Sequence, residues 1–122
     1  MGKKILIVDD EEDVRLFLAD FLGDRDFKID TAESGEEALG KVAKTPPDLV
    51  LLDVMMPGMD GIQCLEEIKK KFPQMHVIMI TALKDETRMA KAKKLGACDY
   101  IVKPFSLSYL ESELDKFLKD IG

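Results

Sequence analysis

The sequence predicts an α/β fold: a doubly wound, five-stranded parallel sheet in the order 2-1-3-4-5, with five helices on both faces. Three observations predict it. Short apolar runs alternate five times with segments of helical periodicity, the pattern of a sheet layered between helices. The connections are short, as crossovers between parallel neighbours are. The second strand alternates polar with apolar and reads as an edge, whereas the first, third and fourth are apolar throughout, as strands covered on both faces must be.

Each element has its own signal. Ile5-Leu6-Ile7-Val8 is a buried strand, and Val14, Phe17, Leu18, Phe21 and Leu22 form the stripe of an amphipathic helix closed near Gly23. Phe27 to Thr31 is the half-exposed strand. Ser34 and Glu37 make a capping box for a helix carrying Ala38, Leu39, Val42 and Ala43, which Pro46-Pro47 ends. Leu49 to Leu52 is the third strand and runs straight into Asp53. Beyond the turn Met55-Met56-Pro57-Gly58, Asp60 caps a helix with Ile62, Leu65, Ile68 and Phe72. Val77 to Ile80 ends at Thr81, and a weakly apolar, basic helix from Glu86 to Leu95 stops at Gly96. Tyr100-Ile101-Val102 leads to Lys103-Pro104, and the last helix carries Leu107, Leu110, Leu114, Phe117, Leu118 and Ile121.

The 122 residues are the size of one domain, spanning 1–122, and 46% apolar content is enough for a core. No apolar run approaches the roughly 20 residues that span a bilayer. The basic start at Lys3-Lys4 precedes only four apolar residues, too few for a targeting segment, so the expected location is the cytoplasm. Cys64 and Cys98 have neither metal-ligand nor redox-pair spacing and are expected as small buried thiols. His76 reads as a polar residue entering a strand. A net charge of −6 speaks against nucleic acid as a direct partner.

Function is carried by the carboxyl ends of the strands, where open α/β sheets bind ligands. Asp9-Asp10, Asp53, Thr81 and Lys103 all follow strands and converge on one edge. Taken singly, each is an ordinary cap, turn or surface residue; together they make a pocket. Three clustered carboxylates repel unless a cation neutralises them. Oxygen-only donors specify a hard ion, and an incomplete cage with room for water and phosphate favours Mg²⁺. With Mg²⁺ and Lys103 the charges balance, and Asp53 becomes a nucleophile for an incoming phosphoryl group. Lys103 and Thr81 can then hold the phosphoryl oxygens.

Val8-Asp9-Asp10-Glu11, Asp53 through Gly61, Ile80-Thr81-Ala82, Gly96 through Tyr100 and Lys103-Pro104-Phe105 resemble, in order, the motif set of response-regulator receiver domains. The resemblance implies that Asp53 accepts a phosphoryl group from the phosphohistidine of a histidine kinase or histidine phosphotransfer protein. It implies Mg²⁺ on Asp10, Asp53 and the Met55 backbone carbonyl, with Asp9 helping through water. It further implies a switch formed by Thr81 and Tyr100, a cis Lys103-Pro104 bond, and an output face on the Glu86–Leu95 helix, the Tyr100 strand and the last helix, facing a downstream protein or output domain.

The family tunes water attack on the acyl phosphate through the side chains two residues after the phosphoacceptor and two after the Thr. Here these are Met55 and Leu83, which cannot hydrogen-bond a water, so self-dephosphorylation is expected to be slow. The site is built to receive phosphate and not to hydrolyse a large substrate, so no turnover of external substrates is expected. Leu16 and Phe17, off or beside the first helix's stripe, are candidates for the kinase-docking surface or simply exposed apolar residues. A dehalogenase-type phosphatase would need a second Asp where Met55 stands. A flavin carrier would not place Asp9-Asp10-Glu11-Glu12 at the phosphate. The alternative is a degenerate receiver that binds partners without phosphorylation.

Overall fold

Alternation along each strand divides the core in two. In the computed structural model, which describes residues 3–25 and 27–121 with side chains through 116, five strands form one parallel sheet: β1 (Lys4–Val8), β2 (Lys28–Ala32), β3 (Leu49–Leu52), β4 (Val77–Thr81) and β5 (Asp99–Val102). Their order is β2-β1-β3-β4-β5, as the sequence predicts, with Val8 level with Leu52 and Ala32. Successive side chains point to opposite faces. Leu6, Val8, Val50, Leu52 and Met79 therefore meet α2 (Gly35–Lys44), α3 (Gly61–Lys71) and α4 (Glu86–Lys94) through Val42, Leu65, Ile68 and Ala92. Ile5, Ile7, Leu49, Leu51, Ile78, Ile80 and Ile101 meet α1 (Glu12–Gly23) and α5 (Leu107–Ile121) through Leu18, Leu22, Leu110 and Leu114. The expected stripe positions Phe117, Leu118 and Ile121 lie outside the described side chains.

Caps fix the helix ends that frame the sheet. Asp60 and Gln63 form a full capping box on α3. On α2 only half of the expected box is made: Ser34 accepts from the Glu37 N–H, but the Glu37 carboxylate takes the N–H of Glu33 instead. Gly96 (φ +103°) ends α4 in a left-handed turn, with the Gly96 N–H donating to the Lys93 carbonyl and the Ala97 N–H to that of Ala92. A side chain there would be strained and would also press on the Lys69 stem.

Two local expectations shift. β2 begins at Lys28, opposite Lys4, while Phe27 turns into the α1/α5 side of the core. Cys64 is buried, and burial pushes its thiol up to about 12; Cys98 is exposed, because it sits in the turn between Gly96 and β5, with its sulfur 3.8 Å from His76 Nδ1. α4 buries only Ala92, which matches its thin apolar pattern. Among the described residues no helix is long and apolar enough to cross a membrane.

Candidate functional site

β1 and β3 are neighbours in register, so their last residues deliver Asp9 and Asp53 side by side. Carboxylate oxygens of Asp9, Asp10 and Asp53 lie within 4.8 Å of one another. Asp9 and Asp53 are 2% and 4% exposed, whereas Asp10 faces solvent. Thr81, fully buried at the end of β4, holds the Asp53 carboxylate with its hydroxyl and accepts the Leu83 N–H at 3.3 Å. Lys103 follows β5 through a cis bond to Pro104 and sets its ammonium 3.0 Å from Asp9 Oδ2. Every strand-end residue singled out from the sequence is thus in one pocket.

The electrostatics are those of a site built around more negative charge than it can hold alone. Burial, and then the neighbouring Asp9, push the Asp53 carboxyl above the usual carboxylate range. The Thr81 hydroxyl, the Lys103 charge and the Met55 N–H, 3.2 Å from Asp53 Oδ1, pull the other way without cancelling the rise. One ammonium faces three carboxylates. The donor set is all oxygen, open on the Asp10 side, and suited to a small hard dication that keeps part of its water.

Tyr100 reaches the site indirectly. Its hydroxyl donates to the Leu83 carbonyl at 2.8 Å, and Leu83 N–H is the group on Thr81, so Thr81, Leu83 and Tyr100 form one hydrogen-bonded chain from pocket to surface. Burial, and then the Asp85 carboxylate, hold the phenol above its ordinary range.

Two supporting residues escape sequence reasoning. Arg15, one turn into α1 and only 14% exposed, donates to the Asp9 carbonyl at 2.8 Å and pairs with Glu33, pinning the loop that carries Asp9 and Asp10. A lone Arg on a helix among acidic residues carries no signal of this. Gly61 begins α3 directly against the Asp53 backbone: a Cβ there would fall 2.0 Å from the Asp53 carbonyl oxygen. Its N–H donates to the Val54 carbonyl at 2.8 Å, so only glycine lets α3 brace the loop that follows Asp53. Its place after the capping Asp60 was visible, but the close approach was not.

A β2-β1-β3-β4-β5 sheet with acidic residues, a hydroxyl and a lysine at one edge is the architecture of a receiver. Residues 5–115 match the model of the response regulator receiver domain, and the chain belongs to that family. It is 38% identical to the chemotaxis protein CheY of Thermotoga maritima over 98% of this chain and all of that protein. To the transcriptional regulatory protein ResD of Bacillus subtilis it is 45% identical over 84% of this chain but only 42% of ResD, and it spans about half or less of several other curated relatives. Among solved structures, a chain of the CheX-CheY-BeF3-Mg²⁺ complex of Borrelia burgdorferi superposes with a TM-score of 0.90 at 35% identity, covering 95% of this chain and 89% of that one.

Proposed function

We propose that residues 1–122 act as a phosphoacceptor switch in a two-component system, in which Asp53 takes a phosphoryl group from the phosphohistidine of a cytoplasmic histidine kinase or phosphotransfer protein. The observation that carries this reading is the buried Asp53 carboxylate, pressed between Asp9 and Thr81 with Lys103 beside them. An Asp53 oxygen attacks phosphorus, the P–O bond forms as the P–N bond to histidine breaks, and the departing imidazole keeps the electron pair. Asp10, Asp53 and the Met55 carbonyl would hold Mg²⁺, with Asp9 assisting through water; when bound, the ion neutralises charge on the transferring group. Lys103, now on Asp9, is within reach of a phosphoryl oxygen at the same edge, and the Thr81 hydroxyl is free to exchange the carboxylate for another.

Movement of Thr81 loads the chain that ends on Tyr100, and α4 is the compliant neighbour because it buries a single side chain. The output face is accordingly α4, β5 and α5, presented to a downstream protein or an attached output domain. Leu16 and Phe17, 60% and 49% exposed on α1 beside the acidic loop, are offered to the phosphodonor protein.

The test is intact mass after incubation with a small-molecule phosphodonor and Mg²⁺. Gain of one phosphoryl group, lost in Asp53→Ala and without metal, is expected. No gain with several donors and folded protein would leave a degenerate receiver that signals by binding alone. The same assay reads the lifetime. Met55 and Leu83 offer no polar side-chain atom, so the phosphoryl group should persist; Met55→Asn with Leu83→Glu should shorten its half-life about tenfold or more. An unchanged half-life would remove those two positions from control of hydrolysis.

A further inference from the structure

Met55 differs from every other described methionine. It is 56% exposed, whereas Met56, Met75 and Met79 are buried and Met59 and Met89 are partly covered. Its backbone is tied to the site, since its N–H holds Asp53 Oδ1 at 3.2 Å. Its side chain lines a cleft with Val54, Met56, Pro57, Asp60, Leu83 and Arg88. A solvent-facing thioether thus stands two residues from the phosphoacceptor, in a cleft whose polar side chains are already engaged, Asp60 by the Gln63 N–H and Arg88 by the Asp85 carboxylate.

We propose that Met55 is an oxidation site, and that its sulfoxide converts a long-lived aspartyl phosphate into a short-lived one. The proposal rests on the phosphoacceptor reading of Asp53 and names a regulation of that same site. The co-reactant is hydrogen peroxide. The sulfur electron pair attacks one peroxide oxygen, the S–O bond forms as the O–O bond breaks, and the second oxygen leaves as water after proton transfer. Sulfur is oxidised by two electrons and the peroxide is reduced by two.

The chemical consequence follows from what the two side chains can accept. A thioether sulfur is a poor hydrogen-bond acceptor. A sulfoxide oxygen is polar and accepts well, so oxidation places at the pocket's rim a group able to orient water. In the hydrolysis that results, the water oxygen bonds to phosphorus and the bond from phosphorus to the Asp53 oxygen breaks. Inorganic phosphate leaves, the carboxylate is restored, and the proton passes to solvent.

Selectivity follows from geometry. Cys64 is buried with its thiol held protonated, the core methionines are closed to peroxide, and Cys98 precedes β5, at the opposite end of the parallel strands from Asp53. Oxidation at Cys98 is separable from oxidation at Met55 by position.

The experiment treats the full chain with limiting hydrogen peroxide, maps sulfoxides by peptide mass, then loads it with a small-molecule phosphodonor and Mg²⁺ and follows decay of the phosphoprotein by intact mass. Met55 should oxidise well ahead of Met56, Met75 and Met79, and the phosphoryl half-life should fall about tenfold, less than a true general base contributes. Methionine sulfoxide reductase should restore it. Met55→Leu, compared before and after peroxide, should show no change in its own half-life, which assigns the effect to this sulfur. Oxidation of Met55 no faster than of the buried methionines, or an unchanged half-life in the oxidised protein, overturns the proposal. Absence of phosphoryl uptake by the untreated protein overturns the phosphoacceptor reading and this proposal with it, while the peptide map still reports separately on the exposed sulfur.

Discussion

Lys103→Met should slow phosphoryl uptake from a small-molecule donor by about 10²-fold, the scale of removing one preorganised charged donor from a transferring group. Methionine keeps most of the stem, so the loss reports the ammonium. The same variant should unfold more easily without Mg²⁺, by about 3 kcal/mol, because breaking one side of a largely buried ion pair strands the other charge. Asp9, nearly buried, would keep the Glu11 N–H at 2.9 Å but lose the ammonium at 3.0 Å. The figure sits at the lower end of the roughly 3–5 kcal/mol expected for breaking a buried pair because Lys103 is partly exposed. Mg²⁺ should recover much of the stability but not the rate, since a dication can screen the carboxylates while the second phosphoryl partner remains missing. Urea denaturation with and without Mg²⁺, beside a mass time course, separates the two effects. A variant that is less stable yet phosphorylated at the full rate would reduce Lys103 to a structural partner of Asp9.

What the sequence disclosed and what it concealed divide along a physical line. Continuous apolar runs, one alternating strand and strand-end polar residues are local signals, so the sheet order and the convergence of Asp9, Asp10, Asp53, Thr81 and Lys103 could be read from them. The Thr81–Leu83–Tyr100 chain could not, because it runs through the backbone N–H and carbonyl of Leu83, which no side-chain pattern encodes. Arg15 and Gly61 act on main-chain atoms of Asp9 and Asp53, again invisible until the turns exist. Cys98 was misplaced for a related reason: a small apolar residue between Gly96 and a strand reads as core, but the cap leaves it on the outer side of the turn.

Asp53→Asn should leave the metal-free protein more stable than the parent at neutral pH, by about 1–2 kcal/mol, the usual gain when a functional charge clash is relieved. Asparagine fills the same space and can still accept the Thr81 hydroxyl and the Met55 N–H, while the repulsion from Asp9 disappears. The pH dependence follows from linkage. The folded Asp53 carboxyl is held above its ordinary value of 3.8, so between that value and its folded one the native state binds more protons than the unfolded chain. This group's contribution therefore falls as pH rises through that window, and its cost is complete above the folded value. Acidification through the window should close the gap between parent and Asp53→Asn, because the parent's carboxyl is then neutral in both states. Mg²⁺ should reverse the order at neutral pH: the parent, with all three carboxylates to offer, gains more from the ion than the variant does. Denaturation curves at several pH values, in chelator and in Mg²⁺, read all of this without any phosphorylation assay. An Asp53→Asn protein no more stable than the parent in chelator would mean that Lys103 and the surrounding N–H groups already neutralise the cluster, and that the site has no need of a cation to relieve it.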